Sequence, residues 1–347
     1  MNVRGDPFGR HRVIEPAGKL PQPAWKLDND TSKLYDNEML IDVIKLNVDA
    51  ASFAQIKSEV GADEQKVAEK IMQIVQQRGK LHNPVTGSGG MLVGRVKAIG
   101  KDLNVDVKVG DKIATLVSLS LTPLNLKKIK KVHLDKDQVD VEAEAILFET
   151  GVFARLPEDM PESVALAVLD VAGAPIQTAR LVSPSDLVLI IGAGGKSGVL
   201  CSYVAKKYAG PTGRVVALVH SERSVEQLKR LGFVDDVFVS DAQDAVASYE
   251  KFIQITNGRL ADVVINVVNV PDTEMTSILC ARERGKIYFF SMATSFTKAA
   301  LGAEGIGKDV DMIIGNGYAK HHAEFALQIL RENERLYQHF LERYGEK

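Results

Sequence analysis

Between residues 186 and 315, apolar runs of strand length alternate with helical stretches, and this alternation constrains the fold more than any other feature of the chain. Asp186-Leu187-Val188-Leu189-Ile190-Ile191 is almost continuously apolar, a pattern that suits a strand covered on both faces of its sheet. Further strands are expected over 215–220, 237–240, 261–269, 286–291 and 311–315. Helices are expected over 195–208, 224–231, 244–256 and 273–282, with a helix over 161–181 before them and a long one over 321–344 after. Six strands alternating with helices read as an α/β, doubly wound parallel sheet.

The first strand runs into Gly192-Ala193-Gly194-Gly195-Lys196-Ser197-Gly198, and a helix follows. A glycine string alone is weak, but between an apolar strand and a helix it has a mechanism. The first glycine permits a tight turn, the second lets backbone approach a pyrophosphate, and one a helical turn later lets helix and strand pack closely. The helix start then offers unpaired N–H groups to phosphate. The spacing is one residue longer than the strict fingerprint, and Lys196 and Ser197 are placed to touch phosphate. A nicotinamide dinucleotide is therefore the expected ligand. About 20 residues on, an Asp or Glu would grip the 2′-hydroxyl of NAD. Here Val219 and His220 stand, followed by Ser221, Glu222 and Arg223. A hydroxyl, an imidazole and a guanidinium suit a 2′-phosphate, so NADP stays open beside NAD, as does the plainer reading of Arg223 as an exposed helix residue. Asn269, at the end of the fourth strand, and Ser291-Met292, at the end of the fifth, should border the cofactor, because ligands in such sheets bind at the carboxyl ends of strands.

The first half reads differently. Residues 1–38 form an irregular arm; 39–160 carry short β-rich runs (39–46, 90–99, 112–117, 145–147, 151–156) with one helix over 64–78. The expected domains are thus 1–38, 39–160, 161–320 and a terminal helix in 321–347. At 347 residues the chain is long enough for two cores. A net charge of −2 gives no basic stripe for nucleic acid. No apolar run is long enough for a membrane span, and Met1-Asn2-Val3-Arg4-Gly5-Asp6-Pro7 has no signal-peptide core. Two cysteines, Cys201 and Cys280, are too few for a disulfide framework, so a soluble protein of the reducing cytoplasm is expected.

With both halves in view, the chain resembles the medium-chain dehydrogenase/reductase superfamily. The resemblance rests on Leu46-Asn47-Val48-Asp49-Ala50-Ala51-Ser52-Phe53, Gly87-Ser88-Gly89-Gly90-Met91-Leu92-Val93-Gly94-Arg95-Val96, Val109-Gly110-Asp111-Lys112-Ile113 and the Gly192 turn. It covers residue 38 to the end and implies a GroES-like β-rich domain before a Rossmann domain, and a homo-oligomer, dimer or tetramer. Within the superfamily, stretches 36–55, 285–292 and 309–322 resemble dehydrogenases that oxidatively deaminate a small diamino acid. The amine would be oxidised to an imine, which water hydrolyses to a ketone and ammonia.

The chain departs from the superfamily's zinc branch. No Cys stands near 49–51, Ser88-Gly89 replaces a His-Glu pair, and Asp170 approximates the third ligand position. No metal is expected, so amine oxidation needs a side-chain base. Asp49 and Asp170 are the candidates. Asp170 falls in an apolar helical stretch, where an acid is costly to bury unless paired or functional. Asp49 opens a turn, where Asp is common anyway. His82 is an outside candidate, while His321-His322 reads as capping or surface, and the cysteines as core. Arg95, Lys45 and Arg155 could each meet a carboxylate. Competing readings are a zinc-free quinone or enoyl reductase and a non-catalytic dinucleotide sensor; acids at Asp49 and Asp170 suit a cationic substrate better than a quinone.

Overall fold

In the computed structural model, which describes residues 3–315 and 317–345, the chain divides into two units, Met1–Glu158 and Asp159–Lys347. Met1 and Asn2 of the N-terminal reading, and Asn316 within the 309–322 stretch, lie outside the described residues.

The first unit begins with strands β1 (Val13–Glu15) and β2 (Lys26–Leu27), which pair with each other. There follow β3 (Glu38–Asn47), α1 (Ala50–Val60), α2 (Glu64–Arg78), β4 (Met91–Ile99), β5 (Lys112–Thr115), β6 (Leu124–His133), β7 (Gln138–Phe148) and β8 (Phe153–Arg155). Six of these strands form one antiparallel sheet in the order β6-β7-β3-β4-β5-β8. Met39, Ile41, Val43 and Leu46 of β3 share a core with Phe53 and Ile56 of α1 and Val67, Ile71 and Ile74 of α2. Helix α2 occupies the 64–78 expected from its apolar stripe, and Gly79 ends it at φ 65°.

Two elements here escape a reading by period, and a third, β7, is expected only over 145–147 near its end. Helix α1 begins at Asp49, whose carboxylate accepts from the amides of Ala51 and Ser52; Asp49 is a helix cap rather than the opener of an isolated turn. In β6 the register against β7 shifts twice, so its more buried apolar residues fall at 124, 126, 129 and 132 and the alternation is lost among lysines. In β7 the buried alternating positions are Val139, Val141, Ala143 and Ala145, and alanine between acids carries little strand preference.

The segment before β3 is irregular in form but bound through buried charge. The Arg12 guanidinium is fully buried and donates to both oxygens of Glu38, 2.7 Å each, and to the carbonyls of Asp30 and Lys33. His11 Nε2 lies 2.8 Å from the same carboxylate. Lys80, also fully buried, donates to the Pro21 and Gln22 carbonyls at 2.7 and 3.1 Å.

The second unit comprises α3 (Glu162–Leu169), α4 (Gly173–Leu181), β9 (Leu187–Ile191), α5 (Lys196–Ala209), β10 (Arg214–Val219), α6 (Glu222–Leu231), β11 (Asp236–Val239), α7 (Ala245–Thr256), β12 (Ala261–Asn266), α8 (Glu274–Cys280), β13 (Ala281–Phe289), α9 (Phe296–Gly305), β14 (Val310–Ile314), α10 (His322–Glu332) and α11 (Glu334–Tyr344). Its strands form an all-parallel sheet in the order β11-β10-β9-β12-β13-β14, the doubly wound arrangement with β9 at the switch point. All five residues of β9 are buried. Val188 and Ile190 join one core, with residues of α5, α6, α10 and α11, and Leu187, Leu189 and Ile191 join the other, with residues of α7, α8 and α9.

The helix expected over 161–181 is two helices bent by 50°. Pro175 lacks an amide to donate to residue 171, and its ring would crowd that carbonyl, so the helix must restart. The terminal helix also breaks, at Asn333, which turns extended and caps α11 by accepting from Leu336 N at 3.0 Å. Helix α9 (Phe296–Gly305) falls in a stretch for which the sequence pattern predicts no element. No single helix among the described residues is long and apolar enough to cross a membrane.

The Arg12–Glu38 pair predicts how the first unit responds to acid. Burial would raise the Glu38 pKa, but the hydrogen bonds from Arg12 and His11 outweigh it and hold the carboxyl below its ordinary value. A depressed folded pKa contributes stability that is present above the unfolded value of about 4.3 and is lost as pH falls through the folded pKa. Glu38→Gln should lower stability by about 3–5 kcal/mol, because the buried guanidinium loses its counter-ion, and should flatten the acid-side loss. Denaturant titration at pH 7 and pH 4 measures both; an unshifted midpoint would reject the pairing.

Candidate dinucleotide site

The turn between β9 and α5 lies at the carboxyl edge of the second unit's sheet. Gly192 sits at φ 87°, a backbone conformation costly for other residues, and its amide and that of Ala193 donate to Leu218 O on β10. Gly198 is the close-packing glycine: a Cβ there would lie 2.3 Å from Gly192 O and 2.5 Å from Ala193 Cα. The role of the second glycine differs from expectation. A Cβ on Gly194 would meet Ser224 Oγ at 2.6 Å, so its bareness admits the start of α6. Gly195 is the residue that faces open space, with nothing nearer than 3.9 Å to its missing side chain. It is also the N-cap of α5, and with no side chain to cap it it leaves the helix start for an anion to complete.

Beside this turn a cleft of about 700 Å3 opens, lined by Gly194, Ser221, Arg223, Ser224, Gln227 and Arg343 among others. The structure thus brings Ser221 and Arg223 to the turn. Ser221 caps α6, its Oγ accepting from Ser224 N, and Arg223 is exposed on the cleft wall. His220 is exposed just past the end of β10. At the neighbouring strand ends, Ser291 Oγ donates to Asn269 Oδ1 at 3.2 Å and accepts from Ala293 N at 3.1 Å, so these two expected residues also meet. Met292 beside them is 91% exposed. Two residues that sequence reasoning missed hold the turn: Gln227 Nε2 and Arg343 Nη1 donate to Gly194 O at 3.1 and 3.4 Å. Arg343 is 149 residues away, and no local signal marks it.

Asp170 is not in the interior of an apolar helix. It is the exposed C-cap of α3 and pairs with Lys196 at 2.6 Å. Lys196, whose place in the turn points to phosphate, is thus also joined to a carboxylate.

In the first unit, the loop after α2 packs on the first turn of α1. Asn83 Nδ2 donates to Ser52 O and Gln55 Oε1, at 3.3 and 2.8 Å, and the Ser52 and Thr86 hydroxyls are 2.5 Å apart. A Cβ on Gly90 would lie 2.7 Å from Asp49 N. The stretches around Asp49 and Ser88 therefore come together, but with hydroxyl and amide groups and neither thiolate nor paired imidazole. No group of three or more His, Cys, Asp or Glu that could hold a metal ion is found among the described residues. His82 is half-buried, its Nδ1 without a partner among the described residues; burial, with Lys80 and Arg78 nearby, lowers its pKa to about 4 and keeps the ring neutral at pH 7. Arg95 donates to Gly110 O, and Arg155 lies 3.6 Å from Asp111. His321 enters α10 in the left-handed region at φ 65°, while His322 is buried against Tyr318. Cys201 and Cys280 are buried and unpaired, and burial pushes both thiols up to about 12.

A doubly wound sheet with an open glycine turn at its switch point, preceded in the chain by an antiparallel-sheet unit, defines a dinucleotide-dependent dehydrogenase of the medium-chain type. Residues 198–335 match the family described as zinc-binding dehydrogenase. Among solved structures, the chain is similar to a quinone oxidoreductase from Pseudomonas syringae pv. Tomato (TM-score 0.54, 18% identity, 86% of this chain and 81% of that one). It is also similar to an alcohol dehydrogenase from Thermus sp. (TM-score 0.52, 17% identity, 88% and 84%). These likenesses carry the fold alone. Residues 11–157 match the L-erythro-3,5-diaminohexanoate dehydrogenase N-terminal domain. The chain is 60% identical to L-erythro-3,5-diaminohexanoate dehydrogenase of Acetoanaerobium sticklandii, over 96% of its length and 97% of that protein's. It is 53% identical to the enzyme of the same name from Fusobacterium nucleatum subsp. nucleatum, over 98% and 99%. The chain belongs to the L-erythro-3,5-diaminohexanoate dehydrogenase family. Membership implies a nicotinamide dinucleotide as cofactor, which the uncapped start of α5 fits.

Gly198→Ala should disturb the turn through its collision with Gly192 O, at a cost of about 1–3 kcal/mol. Thermal melts should show the loss, and NADH titration a weakened site; an unchanged melting temperature and Kd would contradict the packing described.

Proposed function

We propose that the chain catalyses the NAD(P)-dependent oxidative deamination of L-erythro-3,5-diaminohexanoate to 5-amino-3-oxohexanoate and ammonia, a step of lysine fermentation. The observation that carries this is 60% identity across nearly the whole of both chains with a dehydrogenase of that name. The reaction removes a hydride from C3 and a proton from its amine; water then adds to the imine and ammonia leaves. The dinucleotide, when bound, supplies the hydride acceptor. Everything else falls to the chain's own residues: binding the cofactor, holding a diamino acid and handling protons.

The cofactor contacts are proposed at Gly192, Gly194, Gly195, Lys196, Ser197 and Gly198 for the pyrophosphate, at His220, Ser221 and Arg223 for the adenosine end, and at Asn269, Ser291 and Met292 toward the nicotinamide. The mutual contact of Asn269 and Ser291 at 3.2 Å supports grouping the last set. The reaction is proposed to run without zinc, because the hydroxyl and amide groups around Ser52, Thr86 and Asn83 are poor zinc ligands. Its setting is proposed as the cytoplasm, which two unpaired thiols fit. A homo-oligomer is also proposed, with β14, one of the two edge strands of the second unit's sheet, as the contact; a monomer mass by light scattering would reject it.

Asp49 is the proposed base. One of its oxygens is committed to the amides at the start of α1, and the carboxylate has a second. Asparagine caps a helix about as well as aspartate, so Asp49→Asn separates capping from chemistry. The deciding assay is NAD or NADP reduction with 3,5-diaminohexanoate, against NADPH oxidation with a quinone or an enoyl thioester. Turnover only in the latter would overturn the proposed function. In the former, Asp49→Asn should cut kcat at least about tenfold with the melting temperature kept; full activity would remove Asp49 from the chemistry.

Either dinucleotide is proposed to bind, with Arg223 setting the preference. No acid ends β10, and Arg223 stands on the cleft wall, where a guanidinium suits a phosphate. Arg223→Ala should weaken NADP binding about tenfold more than NAD binding; an unchanged ratio of the two Kd values would show that Arg223 is only a surface residue.

A further inference from the structure

The pair formed by Asp170 and Lys196 is built from two charges that each sit at the wrong end of a helix. Lys196 is the first residue of α5, where the helix presents its positive pole, and Asp170 is the C-cap of α3, where the pole is negative. Each placement is locally unfavourable, since cations suit helix C-termini and anions suit N-termini. Joining them at 2.6 Å offsets the mismatch, yet both side chains stay accessible, at 31% and 47% exposure, where an ion pair contributes little stability. The fold thus gains little from this arrangement, and an aspartate or serine at 196 with a lysine at 170 would serve the helices better. What the arrangement does provide is a cation at the mouth of the glycine turn, one residue from the uncapped Gly195. The Tyr344 ring, 6.0 Å from Lys196 Nζ, and Arg343, which donates to Gly194 O, flank it from α11.

We propose that Asp170 is a built-in competitor of the cofactor for Lys196: the carboxylate holds the ammonium when the turn is empty and yields it to the pyrophosphate when the dinucleotide binds. This rests on the dinucleotide reading of the Gly192 turn and gives Asp170 the role of a positioning residue in place of the general base. Breaking one ion pair to form another lowers the net gain from Lys196 on binding and keeps the site from holding its cofactor too tightly. Release of the reduced cofactor is a step that often limits dehydrogenase-type turnover. The remaining carboxylate also repels the bound phosphates, in the same direction.

The test is fluorescence titration of the full chain with NADH, with stopped-flow displacement for the dissociation rate, on wild type, Asp170→Asn, Lys196→Met and the double variant. Asp170→Asn should tighten NADH binding about two- to fivefold and slow its release by a similar factor. Lys196→Met should weaken binding about tenfold. In the double variant, Asp170→Asn should gain at most a small residue of its effect, because its target is gone. Three results would overturn the proposal: an NADH Kd unmoved by Asp170→Asn, the same shift with and without Lys196, or a fall in kcat at unchanged Kd, which would mark Asp170 as a base. Failure of the wild type to bind either NADH or NADPH would sink the dinucleotide reading, and this one with it; if only NADPH binds, the same titrations are read with NADPH.

Discussion

The contact between Gly198 and the carbonyl of Gly192 sets where the second unit can bind anything. Helix α5 can lie against β9 only because no side chain stands between them; a single methyl would intrude to 2.3 Å. That approach puts the start of α5 at the carboxyl edge of the sheet, with its first amides turned toward the ligand side. Burial of β9 on both faces fixes the other half of the geometry, since neither face can move without exposing apolar area worth about 25 cal/mol per Å2. Helices α6 and α11 then converge on the turn through Gly194, which accepts from both.

The first unit follows another rule. It is ordered as much by buried charge as by apolar packing: Arg12 on Glu38, and Lys80 on two carbonyls of the segment before β3. Such groups are costly to bury and unforgiving when a partner is lost, so they fix a path for chain that has little regular structure of its own. The same unit assembles Asp49, Ser52, Asn83 and Thr86 around the start of α1. There the Asn83 amide donates to Ser52 O and Gln55 Oε1, and the Ser52 and Thr86 hydroxyls meet, so the cluster is one of hydroxyls and amides.

Aspartate 170 shows how a residue's surroundings decide its meaning. In the sequence it stands among valines and leucines and reads as an acid forced into an apolar helix. In the fold the helix ends there, because Pro175 obliges it to restart and Gly173 passes within 2.6 Å of the Gly317 carbonyl where its Cβ would be. The acid is left on the surface beside Lys196. A catalytic reading founded on costly burial therefore loses that basis, and what the fold gives the acid instead is its pairing with Lys196 of the glycine turn.

The doubly wound sheet was legible from residues 186–315, because strands buried on both faces must be apolar throughout and their connecting helices carry their own period. The glycine turn was legible because only glycine tolerates φ near 87° or backbone contact at van der Waals limits. Helix α2 was legible for the regularity of its stripe, the superfamily for stretches such as 46–53 and 87–96, and the family within it for 36–55, 285–292 and 309–322. What the sequence could not determine is whatever depends on residues distant in the chain. Bulges in β6 erase its alternation, Asn333 both ends one helix and caps the next, and the partners of Asp170, Gly194 and Glu38 lie 26, 149 and 26 residues away. Local pattern records the period of an element and the conformational needs of a glycine; it does not record which charge will be set beside which. That is settled only when packing brings the elements together.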